Sequence, residues 1–205
     1  MNIIPTDELW ALPSMRDGDW FHSNQLLVEL GNKKNAKGLY RTQYEAAGLR
    51  YACIDWNAED GAVALDFGIP LPEEWFGIAN LVTNFGFTEH VFTDQFQAWD
   101  NLARLSSKIG CWLGIVLPSP GHWPRHGVFQ PREAFIRRWL ISNGYNIHLG
   151  MTNVDRKRHV SVFRARRAEV YKGPQWQFDP MDSKWFHITR PKDRQLIEER
   201  NCGVE

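Results

Sequence analysis

VELGNKKNAKG, from Val28 to Gly38, is the stretch that decides the fold. It begins as an apolar strand, carries an acid at Glu29 near the strand end and reaches a glycine at Gly31. This order opens many nucleotide-binding units, because a glycine allows a tight turn and a close approach of the backbone to a ligand. The stretch lacks the further glycines of the dinucleotide pattern G-x-G-x-x-G and differs from the phosphate-binding pattern G-x-x-x-x-G-K-[ST]. We therefore interpret it as a cofactor turn with altered chemistry.

The composition is that of an ordinary globular domain. The 205 residues suit one domain, and 43% hydrophobic with 23% charged residues suffice for a core and a polar surface. Twenty-four basic residues balance twenty-four acidic ones, so no global charge draws the chain to nucleic acid or membrane. Three separated cysteines indicate a reducing compartment rather than a disulfide framework. Since the sequence shows no signal peptide and no membrane span, we expect a cytoplasmic protein.

Hydrophobic patterning divides the chain into alternating strands and helices. Short apolar runs predict five strands, and apolar residues every three or four positions predict helices. Two more strands, joined by a charged turn at 155–158, predict a hairpin. The predicted strands are 24–31, 50–56, 62–68, 78–86, 111–118, 145–154 and 159–167, and the predicted helices are 38–48, 90–109 and 131–144.

This alternation predicts an α/β fold, a Rossmann-like, doubly wound and mostly parallel sheet with a C-terminal antiparallel hairpin. We expect residues 24–167 to form this domain, residues 1–23 to form a leader packed on it, and residues 168–205 to form a tail or cap. In sheets of this kind ligands bind beyond the carboxyl ends of the strands. Polar residues that follow the strands are therefore the first candidates for a site.

Carboxylates lie at or just beyond the ends of four predicted strands. An acid after the second strand is well placed to accept hydrogen bonds from a ribose diol, and one after the third from an adenine amine. Each acid taken alone also fits a simpler interpretation, since acids cap helices and lie in solvated turns. The four acids are Glu29, Asp55, Asp66 and Glu89.

Together these strand ends resemble the class I S-adenosylmethionine-dependent methyltransferase family. The matching pieces lie within about residues 24–166 and read LLVELG, YACIDWN, AVALDFG, TNFGFTEHV and CWLGIVLPSPGHW. TNFGFTEHV is the most specific piece, because an E-H-V after the fourth strand recurs in that family. The chain departs from the family pattern acid-x-Gly-x-Gly-x-Gly, since Lys33 and Asn35 stand where the second and third glycines belong.

The resemblance implies S-adenosylmethionine as the cofactor and assigns residues to it. Glu29 and Gly31 would hold its methionine part, Asp55 its ribose and Asp66 its adenine. Three residues at and after the end of the fourth strand would border the bound cofactor, namely Asn84, Phe85 and Glu89.

Histidines after the fourth and fifth strands are the candidate catalytic residues. His90 follows the fourth strand, and His122 and His126 lie in the loop SPGHWPRHG after the fifth. An unperturbed imidazole titrates near pH ~6.5, so it suits a base that takes the acceptor's proton at neutral pH. The same side chains also fit ordinary loop or helix-start positions, and Glu89 is an alternative base. We predict no metal site, because Pro124 lies between His122 and His126 and no glutamate follows the first, unlike the helical H-E-x-x-H pattern.

The expected function is methyl transfer from S-adenosylmethionine to a small-molecule or glycan-like acceptor that faces His122, Trp123 and His126. The missing glycines support a second hypothesis, a degenerate methyltransferase fold kept as a binding or structural protein. A third is a nucleic-acid methyltransferase that uses the basic residues between Arg156 and Lys172. We favour it less, because solvated charges on an edge hairpin explain these residues and no [DNS]-P-P-[YFW] signature follows the fourth strand.

Overall fold

A seven-stranded mixed sheet forms the centre of the computed structural model. The structure describes residues 23–32, 34–35, 38–121, 123, 126–155, 158–173, 175–176 and 182–189. Lys33, His122, Cys202 and residues 1–22 of the expected leader lie outside the described residues, as do parts of the expected tail.

Strands and helices alternate along most of the chain. The helices are α1 (Tyr40–Ala46), α2 (Gln95–Leu105) and α3 (Glu133–Ser142). The strands are β1 (Leu26–Leu30), β2 (Lys34–Asn35), β3 (Gly38–Leu39), β4 (Arg50–Asp55), β5 (Val63–Ala64), β6 (Leu81–Phe85), β7 (Trp112–Pro118), β8 (Phe129–Pro131), β9 (Tyr145–Asp155), β10 (Arg158–Arg167) and β11 (Phe186–Ile188).

The sheet has the strand order β5-β4-β1-β6-β7-β10-β9. β5, β4, β1, β6 and β7 are parallel, whereas β10 lies between β7 and β9 and is antiparallel to both. This order confirms the predicted Rossmann-like, mostly parallel sheet and its hairpin of β9 and β10. Starting from β1, the strands β4 and β5 are added on one side of the sheet, and β6 and β7 are added on the other side. Sheets of this kind open a crevice for a ligand at that change, which lies between β1 and β6.

Apolar side chains cover both faces of the sheet. On one face the buried side chains of α2 and α3, among them Trp99 and Trp139, pack with residues of β1, β6 and β7 in the largest core cluster. On the other face Tyr40 and Tyr44 of α1 pack with Leu27 of β1. Helices on both faces explain why the central strands are buried on both sides and mostly apolar rather than alternating.

The helix after β6 begins later than predicted. The apolar period from residue 90 to 109 predicts one long helix, but α2 spans only Gln95–Leu105. The Asp94 carboxylate accepts hydrogen bonds from the backbone amides of Phe96 and Gln97, which caps the helix at that point. Phe92 precedes this cap and is 56% exposed, so it does not belong to the buried helix face.

Two predicted elements have other boundaries in the structure, one because a side chain turns the chain and one because a partner strand pairs with the segment. β5 contains only Val63–Ala64 of the predicted strand 62–68, since the Asp66 carboxylate accepts the amide hydrogen of Gly68 and turns the chain. Pro131 ends β8 instead of opening a helix, and β8 pairs with β11 from the expected tail. The described part of residues 168–205 therefore supplies a strand to a small second sheet.

Candidate functional site

The turn after β1 lies at the carboxyl edge of the sheet. Gly31 has a φ of 76°, a region in which an L side chain is strained, so glycine permits this turn. The Gly31 amide donates to the carbonyl of Ile54 at 2.8 Å. The turn is therefore fastened to the end of β4, the neighbouring strand.

Asp55 holds the same turn from the end of β4. Its carboxylate accepts hydrogen bonds from the backbone amides of Asn32 and Trp56, each at 2.7 Å. The Asn32 side chain in turn donates to the carbonyl of Glu59 and the carboxylate of Asp60. A carboxylate has about four acceptor positions, so about two remain for a ligand. The structure thus brings the residue predicted for the ribose next to the turn predicted for the cofactor.

Asp66 is exposed and connects the turn after β5 to the segment before α2. Its carboxylate accepts from the Gly68 amide at 2.9 Å and from the Thr93 hydroxyl at 2.6 Å. Ile69 and Phe92, which lie close to these two partners in the sequence, are 51% and 56% exposed. Exposed apolar side chains therefore lie close in the sequence to both hydrogen-bond partners of this acid.

Glu29 is fully buried in β1 and faces α1. The Tyr51 hydroxyl donates to its carboxylate at 2.5 Å, and the Tyr44 ring stacks on Tyr51. Burial and then the nearby Glu29 carboxylate raise the pKa of Tyr51 far above its ordinary range, so this hydroxyl remains a donor. Glu29 therefore lies under the tyrosines of α1 and β4, whereas Asp66 is open to solvent.

Asn84 and Phe85 end β6 in buried positions. The Asn84 side chain donates to the Thr88 hydroxyl at 2.9 Å and accepts from the Thr88 amide at 3.2 Å. Phe85 packs in a small apolar cluster with Val116 of β7 and Val160 of β10. Asn84 thus shapes the turn that follows β6, and Phe85 packs between strands on the α1 side of the sheet.

Glu89, His90 and His126 converge at the next turn. Thr88–His90 form a short 3-10 helix, and Glu89 is completely buried there. Glu89 Oε1 lies 3.7 Å from His90 Nε2 and 3.5 Å from His126 Nε2. The two imidazole rings meet edge to face with their centres 4.7 Å apart. The structure therefore joins residues predicted separately as cofactor-bordering and catalytic.

Gln130 of β8 holds the loop that carries His126. Its side-chain amide donates to the carbonyls of Trp123 and His126 at 2.9 and 3.0 Å, and its oxygen accepts from the Gly121 amide at 3.2 Å. The indole N–H of Trp123 donates to the carbonyl of His159 on β10. Trp123 and His126 are thereby kept 5.0 Å apart, ring centre to ring centre.

Sequence reasoning missed the residues that position this cluster. Gln130 lies in no motif, Thr88 lies in TNFGFTEHV but was given no role, and no periodic pattern links a turn after β6 to a loop after β7. Only the parallel pairing of β6 and β7 brings their carboxyl ends together. The glutamine in an otherwise apolar β8 was the available signal, because a buried amide has to find hydrogen-bond partners.

The basic residues of β10 are divided between two environments. Arg164 and Arg166 lie over the Trp112 ring, with guanidinium carbons 5.8 and 5.4 Å from its centre. Arg167 is instead 1% exposed. Among the described residues, the basic segment is therefore interrupted by a buried arginine, which removes part of the support for a nucleic-acid acceptor.

Solved structures show the same fold, although neither a family model nor a curated sequence matches the chain. The chain is similar to a 1,6-didemethyltoxoflavin-N1-methyltransferase from Burkholderia thailandensis, solved with 1,6-didemethyltoxoflavin and S-adenosylhomocysteine. The TM-score is 0.53 at 10% identity, and the match covers 72% of each chain. It is also similar to a protein provisionally assigned as a Zn-dependent alcohol dehydrogenase from Rhodobacter sphaeroides, with a TM-score of 0.50 at 9% identity over 71% of this chain and 84% of that chain.

A variant of a 16S rRNA adenine-N1 methyltransferase from Catenulisporales acidiphilia matches with a TM-score of 0.46 at 14% identity, over 89% of this chain and 95% of that chain. At such identities the likeness concerns the fold, and the chain has the Rossmann-like class I methyltransferase fold. Within the described ranges, no helix has the length and apolarity needed to cross a bilayer.

Proposed function

We propose that this protein is an S-adenosylmethionine-dependent methyltransferase that acts on a small-molecule or glycan-like acceptor. The observation that carries the proposal is the contact between Asp55 and the backbone of Asn32, directly after Gly31, at the switch point of the sheet. The similar Burkholderia enzyme holds S-adenosylhomocysteine in the same fold. Since Gly31, Asp55 and Asp66 follow three parallel strands that share an edge, they would bind one adenosyl ligand.

The adenosine part would lie between Asp55 and Asp66. The acceptor positions left on the Asp55 carboxylate suit the two hydroxyls of a ribose. Trp56 is 79% exposed directly beside it, and Ile69 and Phe92 are exposed near Asp66. Large exposed apolar side chains at a ligand-binding edge supply the surface on which a planar base packs.

The acceptor would lie on the side of His90, Trp123 and His126. In methyl transfer the acceptor's lone pair attacks the methyl carbon, the carbon–sulfur bond breaks, and S-adenosylhomocysteine leaves. An acceptor O–H or N–H also loses a proton, for which His90 and His126 are the candidate bases. The half-buried Trp123 ring beside His126 offers a flat apolar surface of the kind that sugar rings and small aromatic molecules pack against.

Calorimetric titration of the full chain with S-adenosylhomocysteine, S-adenosylmethionine and NADH tests the proposal. We expect binding of both adenosyl ligands and none of NADH, because the glycines that the turn lacks let the backbone approach a pyrophosphate, which NADH carries and the adenosyl ligands do not. Asp55→Asn should weaken S-adenosylhomocysteine binding by about 10- to 100-fold, the value of a hydrogen bond to a charged group. Glu169→Gln is the matched control, because this exposed acid follows β10 at the opposite edge of the sheet.

Two outcomes would contradict the proposal. A folded chain that binds neither adenosyl ligand is not a methyltransferase, and tight NADH binding would indicate a dehydrogenase instead. If the natural chain binds nothing but Lys33→Gly creates binding of S-adenosylhomocysteine, the fold is a degenerate one kept for another purpose.

A further inference from the structure

We propose that Glu89, His90 and His126 form a binding site for a divalent transition-metal ion beside the acceptor side of the sheet edge. One ligand atom from each residue lies within 4.8 Å of the other two. The site lies where β6 and β7 end, in the 3-10 turn and the loop described above. Its capacity to bind an ion is independent of the proposed methyl transfer, whereas its use in that reaction rests on the proposed function.

The distances are close to those of a coordinated ion. In a tetrahedral site with metal–ligand bonds of ~2.0–2.1 Å, two ligand atoms lie about 3.3 Å apart. Glu89 Oε1 is 3.5 and 3.7 Å from the two imidazole Nε2 atoms, which is too far for a hydrogen bond and slightly wider than this edge. Shifts of a few tenths of an ångström would close these two edges. The third edge, between the two imidazoles, lies within 4.8 Å, so a rotation of the histidine side chains that moves their nitrogens by up to roughly 1.5 Å would close the set around an ion.

The burial of Glu89 supports a bound cation. Its side chain is fully buried, and neither carboxylate oxygen has a hydrogen-bond partner among the described residues. A buried carboxylate without hydrogen bonds is unfavourable unless a cation or a metal compensates it. His90 and His126 are 44% and 23% exposed in their side chains, so the carboxylate marks the inner side of the site and the imidazoles its solvent side.

The surrounding backbone holds these ligands in place. The Val128 amide donates to the carbonyl of Glu89 at 2.7 Å, and Gly127 packs directly on the Glu89 side chain. Gln95 of α2 donates to the carbonyl of Thr88, the first residue of the 3-10 turn, and to that of Val91, which follows the turn. Fixed ligands lower the entropy lost when an ion binds, and supporting residues of this kind commonly change metal affinity by about 10- to 100-fold.

The ligand set selects the class of ion. Two imidazoles and one carboxylate suit Zn²⁺, Co²⁺ and Fe²⁺, whereas Mg²⁺ and Ca²⁺ prefer oxygen ligands alone. Three protein ligands leave at least one coordination position open, as in catalytic rather than structural sites. This set differs from the His122 and His126 pair considered in the sequence, because it uses a carboxylate and a histidine from another turn.

A metal ion bound at this site would change how the acceptor loses its proton. His90 and His126 would be ligands rather than proton acceptors. An acceptor hydroxyl bound at the open position would have a lowered pKa, so it would lose its proton to solvent water before its oxygen attacks the methyl carbon. The acceptor would then be a molecule with a hydroxyl or a similar oxygen that can reach the ion. A small molecule or glycan with a free hydroxyl meets this requirement, whereas an acceptor that is methylated on a ring nitrogen does not.

Titration of the full, untagged chain with Co²⁺ tests the site without cofactor or acceptor. We expect one Co²⁺ per chain with visible d–d absorption, displacement of Co²⁺ by Zn²⁺, and no competition from Mg²⁺. Glu89→Gln and His126→Ala should each weaken Co²⁺ binding on the order of a hundredfold or more. Two variants are needed because Glu89→Gln changes a buried residue, so circular dichroism has to show that each one folds.

His148→Ala is the matched control, since His148 is an exposed histidine packed against Trp112 at the opposite end of β7. It should leave Co²⁺ affinity unchanged. Absence of Co²⁺ binding, or unchanged binding in folded Glu89→Gln and His126→Ala, overturns the proposal. A chain that binds S-adenosylhomocysteine but no Co²⁺ overturns the metal site alone, whereas the reverse result retains the metal site and overturns the methyltransferase.

Discussion

At the scale of single residues, Gly127 determines how closely the loop after β7 approaches the turn after β6. Gly127 has a φ of 67°, and a Cβ built on it would lie 2.7 Å from the Glu89 carbonyl oxygen and 2.8 Å from Glu89 Cγ. Gly121 in the same loop has a similar φ of 81°, but a Cβ there would meet no atom of the described residues within 4 Å. An alanine at either position would therefore meet similar backbone strain, whereas only an alanine at position 127 would also be crowded.

We expect Gly121→Ala to lower the free energy of unfolding by about 1–2 kcal/mol from backbone strain alone. Gly127→Ala should lower it by about 1–3 kcal/mol more, because the added methyl overpacks against Glu89. Urea unfolding followed by tryptophan fluorescence measures both. Equal losses would mean that the loop and the turn are not in contact.

Arg167 is a buried cation held by main-chain carbonyls. Its guanidinium donates to the carbonyls of Ser106, Ala103 and Asn143 and to the Tyr145 hydroxyl. It links α2, the end of α3 and the two strands of the hairpin. The sequence placed it in a run of basic residues, and nothing in that run distinguishes it from exposed Arg166 except the alternation of the strand.

Arg167→Met should lower the free energy of unfolding by about 3 kcal/mol, because several buried acceptors lose a charged donor. Arg166→Met, the neighbouring control, should cost less than about 1 kcal/mol, since it removes an exposed contact with Trp112 and a long, exposed hydrogen bond to the Gly110 carbonyl. Both values come from urea unfolding of the full chain. A small loss for Arg167→Met would show that water readily replaces the guanidinium.

At the scale of elements, β8 connects the candidate site to the rest of the fold. The Gln130 side chain in this strand forms hydrogen bonds with three backbone groups of the preceding loop. The backbone of β8 also pairs with β11. Thr189, just after β11, also donates its hydroxyl to the Gly127 carbonyl at 2.7 Å. The position of His126 therefore depends on a strand from the C-terminal segment.

Gln130→Ala should weaken Co²⁺ binding by about tenfold, because His126 loses the support that orients it. Gln97→Ala on α2, where the side chain donates only to Asn101, is the control and should leave Co²⁺ affinity unchanged. Co²⁺ titration of both folded variants measures the difference. An unchanged affinity in Gln130→Ala would separate the loop from the metal site.

Element types could be predicted from the sequence better than their ends. The seven strands of the main sheet follow from apolar runs, and the hairpin of β9 and β10 from two runs around a charged turn. Boundaries depend on single side chains such as Asp94, which starts α2 by capping it, and Asp66, which shortens β5. Periodicity does not record such local hydrogen bonds.

At the scale of the whole molecule, a buried thiol and a buried phenol hydroxyl make the free energy of unfolding fall at alkaline pH. Burial raises the pKa of Cys111 from 9.0 to about 12 and that of Tyr145 from 10.0 to about 12. The unfolded chain therefore releases these protons at a lower pH than the folded one. The contribution of these groups to the free energy of unfolding is fully present below pH 9 and is lost as the pH rises towards about 12, their pKa in the folded chain.

Each such group should add a slope of about 1.4 kcal/mol per pH unit within its window. Urea unfolding at increasing pH between neutrality and the alkaline limit measures the total slope. Cys111→Ala should remove the part that begins at pH 9, so its curve should be flatter there. Identical slopes for the two chains would mean that Cys111 is already accessible to hydroxide in the folded state.

The overall layout followed from the sequence, and so did the placement of several candidate site residues at strand ends. The environments of these residues and the contacts between them could not be predicted from the sequence. The sequence suggested that Glu29, Asp55 and Asp66 surround one ligand, and the structure gives them different environments, buried under tyrosines, half-buried against a turn, and exposed. The pairing of His126 with Glu89 depends on the parallel neighbours β6 and β7, which no local pattern encodes.

The position of β10 has a consequence for how the protein is made. All seven residues of β7 are buried, and β10 covers one of its two sides. While the ribosome is still translating the residues up to the end of β10, an entirely apolar strand is exposed with one row of unpaired amides and carbonyls. At about 5–20 residues per second this interval lasts seconds. A nascent chain in that state is prone to aggregate, so we expect production in cells to depend on chaperone supply more strongly than the stability of the finished protein would suggest.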